Sequence, residues 1–227
     1  MASTMPPPLP PLVPPLRFGM VEEGVYRGAY PSRINLRFLD RLRLRTLVCL
    51  LPEPPTEELS EWCTQHDVFC AQELVPISKD EVVLTNERVA HLLQLLVTPE
   101  RQPVLVHCLD GRCVTGALIM CLRKLQRWSL AAAVAEYSRF ARSADTPRQP
   151  PSHVLQLVES FKPETEFSRF LPPRLPCWLA LALRLPATAQ QEKRDVPAVE
   201  RVREPPSTTV PANFVLERAW QPSAAKA

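Results

Sequence analysis

The ten residues His107-Cys108-Leu109-Asp110-Gly111-Arg112-Cys113-Val114-Thr115-Gly116 constrain this chain most, because of what stands on either side of them. The apolar run Pro103-Val104-Leu105-Val106 reads as a buried strand, and the stretch from Thr115 to Leu125 has the apolar spacing of a helix. A strand, a tight loop and a helix in that order make an anion cradle. The loop amides and the first helical turn aim N–H groups at one spot, where the helix dipole also favours negative charge. A cysteine at the strand end meets that field, and such a position lowers a thiol pKa and makes the thiolate a nucleophile.

The rest of the chain alternates strands and helices. Glu22 to Arg27 reads as a short strand, and Asn35 to Leu42 as a helical turn with Leu36, Leu39 and Leu42 on one face. Thr46 to Leu51 is a buried strand stopped by Pro52, Pro54 and Pro55. Thr56 caps a helix that turns Leu59 and Trp62 inward, Phe69 to Val75 forms a strand, and Thr85 to Val97 a helix. Leu130 to Phe140 and His153 to Phe161 add two more helices. This order predicts an α/β three-layer sandwich, a central, mostly parallel sheet flanked by helices, with ligands beyond the carboxyl ends of the strands, where Cys108 falls.

Three segments support the cradle: Gly24-Val25-Tyr26-Arg27-Gly28-Ala29-Tyr30-Pro31, the approach Pro103 to Cys108, and Cys121-Leu122-Arg123-Lys124-Leu125-Gln126-Arg127-Trp128 running on to Glu136-Tyr137-Ser138-Arg139-Phe140-Ala141. Over residues 17 to 162 the chain resembles the plant and fungal atypical dual-specificity (tyrosine) phosphatases. It looks most like the divergent fungal subgroup named for oxidant-induced cell-cycle arrest. The resemblance implies a cysteine-phosphatase fold, and it implies that Cys108 is the nucleophile, His107 orients the loop, Gly111 lets the backbone approach phosphate, and Thr115 bonds the thiolate. Leu109, Asp110, Arg112 and Cys113 then complete the phosphate-binding loop.

One position departs from the family pattern of His-Cys, five residues, Arg, then Ser or Thr. Val114 stands where the arginine belongs. An arginine there grips two phosphate oxygens with a planar fork of donors, and losing such a donor costs at least roughly 10²–10³ in rate. Asp110 is a second departure, since a carboxylate in the loop repels a polyanion. Arg112 is a stand-in only if its side chain reaches the phosphate from a different point of the loop. Asp80 or Glu81 lies where the family keeps a general acid, and reads equally as a solvated turn before a helix.

Two readings of function follow. In one, the chain is a phosphatase-like protein that binds a phosphorylated protein or an inositol polyphosphate with little or no turnover, or pairs with related phosphatase-like proteins as a hetero-oligomer. In the other, it is an active cysteine-dependent phosphatase on phosphotyrosine or inositol pyrophosphates. Neither calls for a cofactor, and no His pair has metal-ligand spacing.

Composition bounds the remainder. The 27 prolines of the 227 residues crowd towards the ends. Residues 1–16 read as a disordered polyproline arm, a stiff leader or a ligand for an SH3-like groove. Residues 163–186 read as an extension packed on the 17–162 domain or as an interfacial helix, and 187–227 as a disordered tail in which Phe214, Leu216 and Trp220 could dock. Seven irregularly spaced cysteines and no secretory leader favour a reduced, cytoplasmic setting. Cys113 reads as an inert thiol or as an oxidation trap for Cys108. The apolar stretch Cys177 to Leu183 is too short to cross a membrane, and a net charge of +3 without aromatic interleaving argues against nucleic acid. The basic patches Arg37-Arg41-Arg43-Arg45 and Arg123-Lys124-Arg127 read either as solvated faces or as the surround of an anionic ligand.

Overall fold

Strand β3 (Thr46–Leu51) is buried along its whole length, as its unbroken apolar sequence requires. It lies between β4 (Phe69–Leu74) and β5 (Val104–Cys108), parallel to both. Strand β2 (Val25–Ala29) pairs parallel to β5 on the other side, and β1 (Gly19–Glu22) closes that edge antiparallel, giving the order β1-β2-β5-β3-β4. The computed structural model describes residues 11–76, 84–142 and 148–184.

Alternation along the strands divides the apolar residues between two layers. Leu47, Cys49 and Leu51 of β3, with Leu105 of β5, pack on Leu39, Leu59 and Trp62. These three come from α1 (Arg33–Leu42) and α2 (Glu57–Gln65). Val48 and Leu50, with Val104, Val106 and Cys108, face the larger cluster on the opposite side. That layer is built by α3 (Asn86–Val97), α4 (Cys113–Leu125), α5 (Leu130–Phe140) and α6 (Ser152–Ser160). Each fully buried leucine of these layers contributes roughly 1.5–3 kcal/mol of transfer free energy. The result is the three-layer arrangement that the order of elements implied.

Three expectations need correction. The strand read over Glu22 to Arg27 is a hairpin, because Gly24 takes φ +75° and turns the chain between β1 and β2. Thr56 precedes α2 without capping it, since its hydroxyl is bonded to the Tyr30 hydroxyl at 2.8 Å. The proline arm is not loose up to residue 16. Prolines cannot donate, but the carbonyls of Val13 and Pro14 each accept from Asn35 Nδ2 at 3.1 Å, and Leu16 accepts from the Ala29 amide at 2.8 Å.

At the other end, Phe167 and Leu179 are fully buried in the larger cluster, which places α7 (Cys177–Arg184) against the domain. Phe214, Leu216 and Trp220 lie outside the described residues. Among the described residues no helix is long and apolar enough to cross a membrane, and no group of His, Cys, Asp or Glu side chains could hold a metal ion.

Candidate phosphate-binding site

Strand β5 ends at Cys108 and α4 begins at Cys113, so the loop is Leu109 to Arg112. Three carbonyls of this loop are fixed from outside. Leu109 O accepts from the Tyr30 amide at 3.3 Å, Asp110 O from Arg17 Nη1 at 2.9 Å, and Gly111 O from Arg27 Nη2 at 2.9 Å. In a trans peptide the following N–H points the opposite way. The amides of Asp110, Gly111 and Arg112 therefore turn towards the loop's concave side, at the N-terminus of α4.

Arg27 is the most deeply buried of these anchors. It is 1% exposed, lies 4.1 Å from the Phe140 ring centroid, and keeps Nε and Nη1 without partners. Burial lowers its pKa to about 10, against the attraction of Glu136 and Cys108, so it remains a cation beneath the loop. Gly111 has φ +71°, and the loop crosses β2 so closely that a Cβ there would meet the Ala29 nitrogen and Gly28 carbonyl at 2.8 Å. The sequence motif around Arg27 pointed to the family; it did not reveal that the guanidinium supports the loop. Arg17 was not expected at all, and only its place in the fold discloses it.

The inside of the cradle is occupied by the loop's own side chains. Asp110 Oδ1 accepts from the Arg112 amide at 3.0 Å and from Cys108 Sγ at 3.6 Å, while Asp110 Oδ2 takes Arg112 Nε at 2.6 Å. Partial burial pushes the Asp110 carboxyl up, but the Arg112 amide and guanidinium outweigh it and hold it below the usual carboxylate range. Arg112 is thus committed to Asp110. Val114 is half-buried and packs on the apolar cluster. Thr115 Oγ1 is buried without a partner, so the bond to the Cys108 sulfur implied by the family pattern is not made. Cys113 Sγ accepts from the Tyr137 hydroxyl at 3.6 Å.

His107 and Cys108 leave β5 on opposite faces. Cys108 belongs to the α4 side, whereas His107 sits directly across from Cys49 of β3, with Nε2 3.1 Å from the Cys49 sulfur. The Tyr30 ring meets it edge-on at 5.5 Å. Burial lowers the His107 pKa from 6.5 to about 4, so it is neutral at pH 7. Because the folded state resists protonation, this histidine's contribution is present above pH 6.5 and is lost as pH falls towards 4. A depression of that size is on the order of 3 kcal/mol. Urea unfolding at pH 7 and pH 4.5 should show a loss that His107→Gln reduces; an equal loss in both proteins would refute this assignment.

Asp80 and Glu81 lie outside the described residues. Of the two basic patches, Arg45, Arg123 and Lys124 are engaged away from the loop. Arg123 is 3% exposed and paired with Glu22 and Glu136, and Lys124 Nζ donates to the carbonyls of Val158 at 2.7 Å and Glu159 at 3.0 Å. Arg45 donates to Glu100 O and, through its amide, to Pro103 O, at the end of β5 away from Cys108. Lys124 thus serves carbonyls near the C-terminal end of α6, whereas Arg123 serves two carboxylates.

A cysteine at the end of a central parallel strand, a loop with inward amides and a following helix define a cysteine-phosphatase-like domain. The chain belongs to the tyrosine phosphatase family, whose sequence model matches residues 12–169. Its relatives include plant inositol diphosphatases and fungal OCA1 proteins. It is 43% identical to inositol diphosphatase DSP1 of rice (Oryza sativa subsp. japonica) over 131 residues, 57% of this chain and 59% of that one. It is 35% identical to an OCA1 protein of Debaryomyces hansenii over 181 residues, 76% of this chain and 88% of that one. The catalytic core of the PP-IP phosphatase SIW14 from S. cerevisiae, solved with citrate, superposes with a TM-score of 0.62 at 30% identity, covering 71% of this chain and 98% of that core. The chain spans between 59% and 66% of the length of the plant relatives DSP1 and DSP2 of rice and DSP4 of Arabidopsis thaliana.

Proposed function

We propose that this protein binds a phosphorylated ligand in its Cys108 loop, an inositol polyphosphate or a phosphorylated protein, with little or no turnover. The observation that carries the reading is the Asp110–Arg112 pair. Its carboxylate occupies a loop amide that an incoming phosphate oxygen would use, and its guanidinium is the stand-in for the absent arginine. With Val114 in the core layer, no side chain within the loop is left to follow charge into a phosphoryl-transfer transition state. An arriving polyanion must displace the Asp110 carboxylate from the Arg112 amide before it can settle on the loop. Plant relatives named as inositol diphosphatases support an inositol polyphosphate as the ligand class.

Turnover is the second reading, favoured by the amide cradle and by Arg27 below it. In that case the Cys108 thiolate attacks phosphorus, the bond to the leaving oxygen breaks with protonation of that oxygen, and water then frees phosphate from sulfur.

Single-turnover hydrolysis of an aryl phosphate and of an inositol pyrophosphate decides between them, using the unaltered protein beside Cys108→Ser and Val114→Arg. The expected result is phosphate release from Val114→Arg at least about 10²-fold faster than from the unaltered protein. Release by the unaltered protein that Cys108→Ser abolishes, at a rate Val114→Arg does not raise, would overturn the binding reading. Asp110→Asn should tighten phosphate binding by about tenfold, the equivalent of one removed like-charge contact.

A further inference from the structure

Behind the phosphate loop, on the face of the sheet opposite Cys108, three cysteines gather around one another. Cys49 of β3 and Cys70 of β4 have their sulfurs 3.6 Å apart, and Cys63 of α2 lies in the same apolar cluster, against which Cys70 packs. The register explains the contact. Cys70 stands opposite Leu47, so Cys49, two residues on, projects from the same face of the neighbouring strand. The Cys49 sulfur is also the hydrogen-bond partner of His107 Nε2, and His107 adjoins Cys108.

The three thiols differ in access and acidity. Cys49 and Cys63 are buried, but Cys70 is half-buried on β4, the edge strand. The hydrogen bond with Cys49 and the neighbouring Cys63 thiol lower the Cys70 thiol pKa, while the same neighbours and burial raise those of the other two. The thiol best placed to be a thiolate is therefore the one a small oxidant reaches first.

We propose that Cys49 and Cys70 are a peroxide-oxidised thiol pair whose disulfide acts on the phosphate loop through His107. The Cys70 thiolate attacks a hydroperoxide, its S–O bond forming as the O–O bond breaks, and the departing hydroxide is protonated. The Cys49 sulfur then attacks the Cys70 sulfenic acid; the S–S bond forms, the S–O bond breaks, and hydroxide leaves as water with the Cys49 proton. Two thiols and one hydrogen peroxide give a disulfide and two waters. Bonding needs the sulfurs at about 2 Å, so from 3.6 Å the Cys49 sulfur is drawn towards β4 and away from His107. His107 is buried, and it then loses the contact of its Nε2 with the Cys49 sulfur. The effect on ligand affinity rests on the phosphate-loop reading; the disulfide and the His107 response do not.

The test uses the full chain with Cys108→Ser, which keeps the loop's own cysteine out of the chemistry. After hydrogen peroxide and alkylation, peptide mapping should find Cys49 joined to Cys70. The His107 imidazole resonances should shift on oxidation and return with a thiol reductant. Cys70→Ser, added to the same background, should abolish both changes. Phosphate binding should weaken by about tenfold on oxidation, the loss expected for one buried hydrogen bond. Absence of the linkage, a linkage that joins Cys63 to Cys70 instead, or a Cys49–Cys70 linkage with unmoved His107 resonances would each overturn the proposal. Failure of the reduced protein to bind phosphate would count against the phosphate-loop reading, while the linkage and the His107 resonances would still decide the thiol pair.

Discussion

Arg123→Ala should remove about 3–5 kcal/mol of stability, because it leaves two carboxylates facing each other in a site that water scarcely reaches. Arg123 Nε and Nη2 grip Glu136 bidentately at 2.7 Å each, Nη1 bonds Glu22 and, at 2.8 Å, Gln126 Oε1, and Nη2 reaches Val21 O at 3.0 Å. The Trp128 ring covers the guanidinium at 4.2 Å. One side chain thus joins β1, α4 and α5. Chemical denaturation of the single variant checks the loss. Arg123→Met with Glu22→Gln and Glu136→Gln should recover much of it, since the charges are then removed together. A loss below about 1 kcal/mol in Arg123→Ala would show that the cluster is solvated and weak.

Gly111→Ala should destabilise the domain by about 2–4 kcal/mol and open the phosphate loop, from two independent causes. The first is backbone conformation, φ +71°, which a Cβ disfavours. The second is space: the added carbon would lie 2.8 Å from three backbone atoms of Gly28 and Ala29. Those atoms cannot step aside, because β2 is locked in register with β5, Gly28 opposite His107 and Ala29 opposite Cys108. The variant should melt lower and show faster amide exchange at Asp110 to Arg112. An alanine variant within about 1 kcal/mol of the parent, with an unchanged loop, would mean the close approach is easily relieved.

The buried strands were legible because their sequences allow little else. Thr46 to Leu51 has no polar face to present to solvent, and Val104 to Val106 leads without a break into Cys108. The helices were legible by spacing, with Thr85 capping α3 as its position implied, its hydroxyl accepting from the Arg88 amide. The β1–β2 turn was missed because the turn signal Glu22-Glu23-Gly24 was read into the strand, and a single glycine gives little sign of its φ. At the site, the positions of Cys108 at the end of a strand and of Gly111 in the turn after it were legible in the sequence. The anchoring by Arg17 and Arg27 was not, since both act on residues more than eighty positions away. The fate of Arg112 was open for a related reason: a side chain beside a carboxylate may equally face a ligand, and only the geometry shows that Asp110 holds it.

That anchoring also orders events in folding. The loop closes only after strands far apart in the chain have met: β2 with β5, Arg17 with Asp110 across 93 positions, Arg27 with Gly111 across 84, and Arg123 with Glu22 across 101. Contacts of such long span are entropically costly and form late in a folding reaction. On the ribosome, β1 and β2 must therefore wait, unpaired along one edge, until residues beyond 110 have emerged. The segment that frames the site is made more than eighty residues ahead of its partners and is among the last to find them.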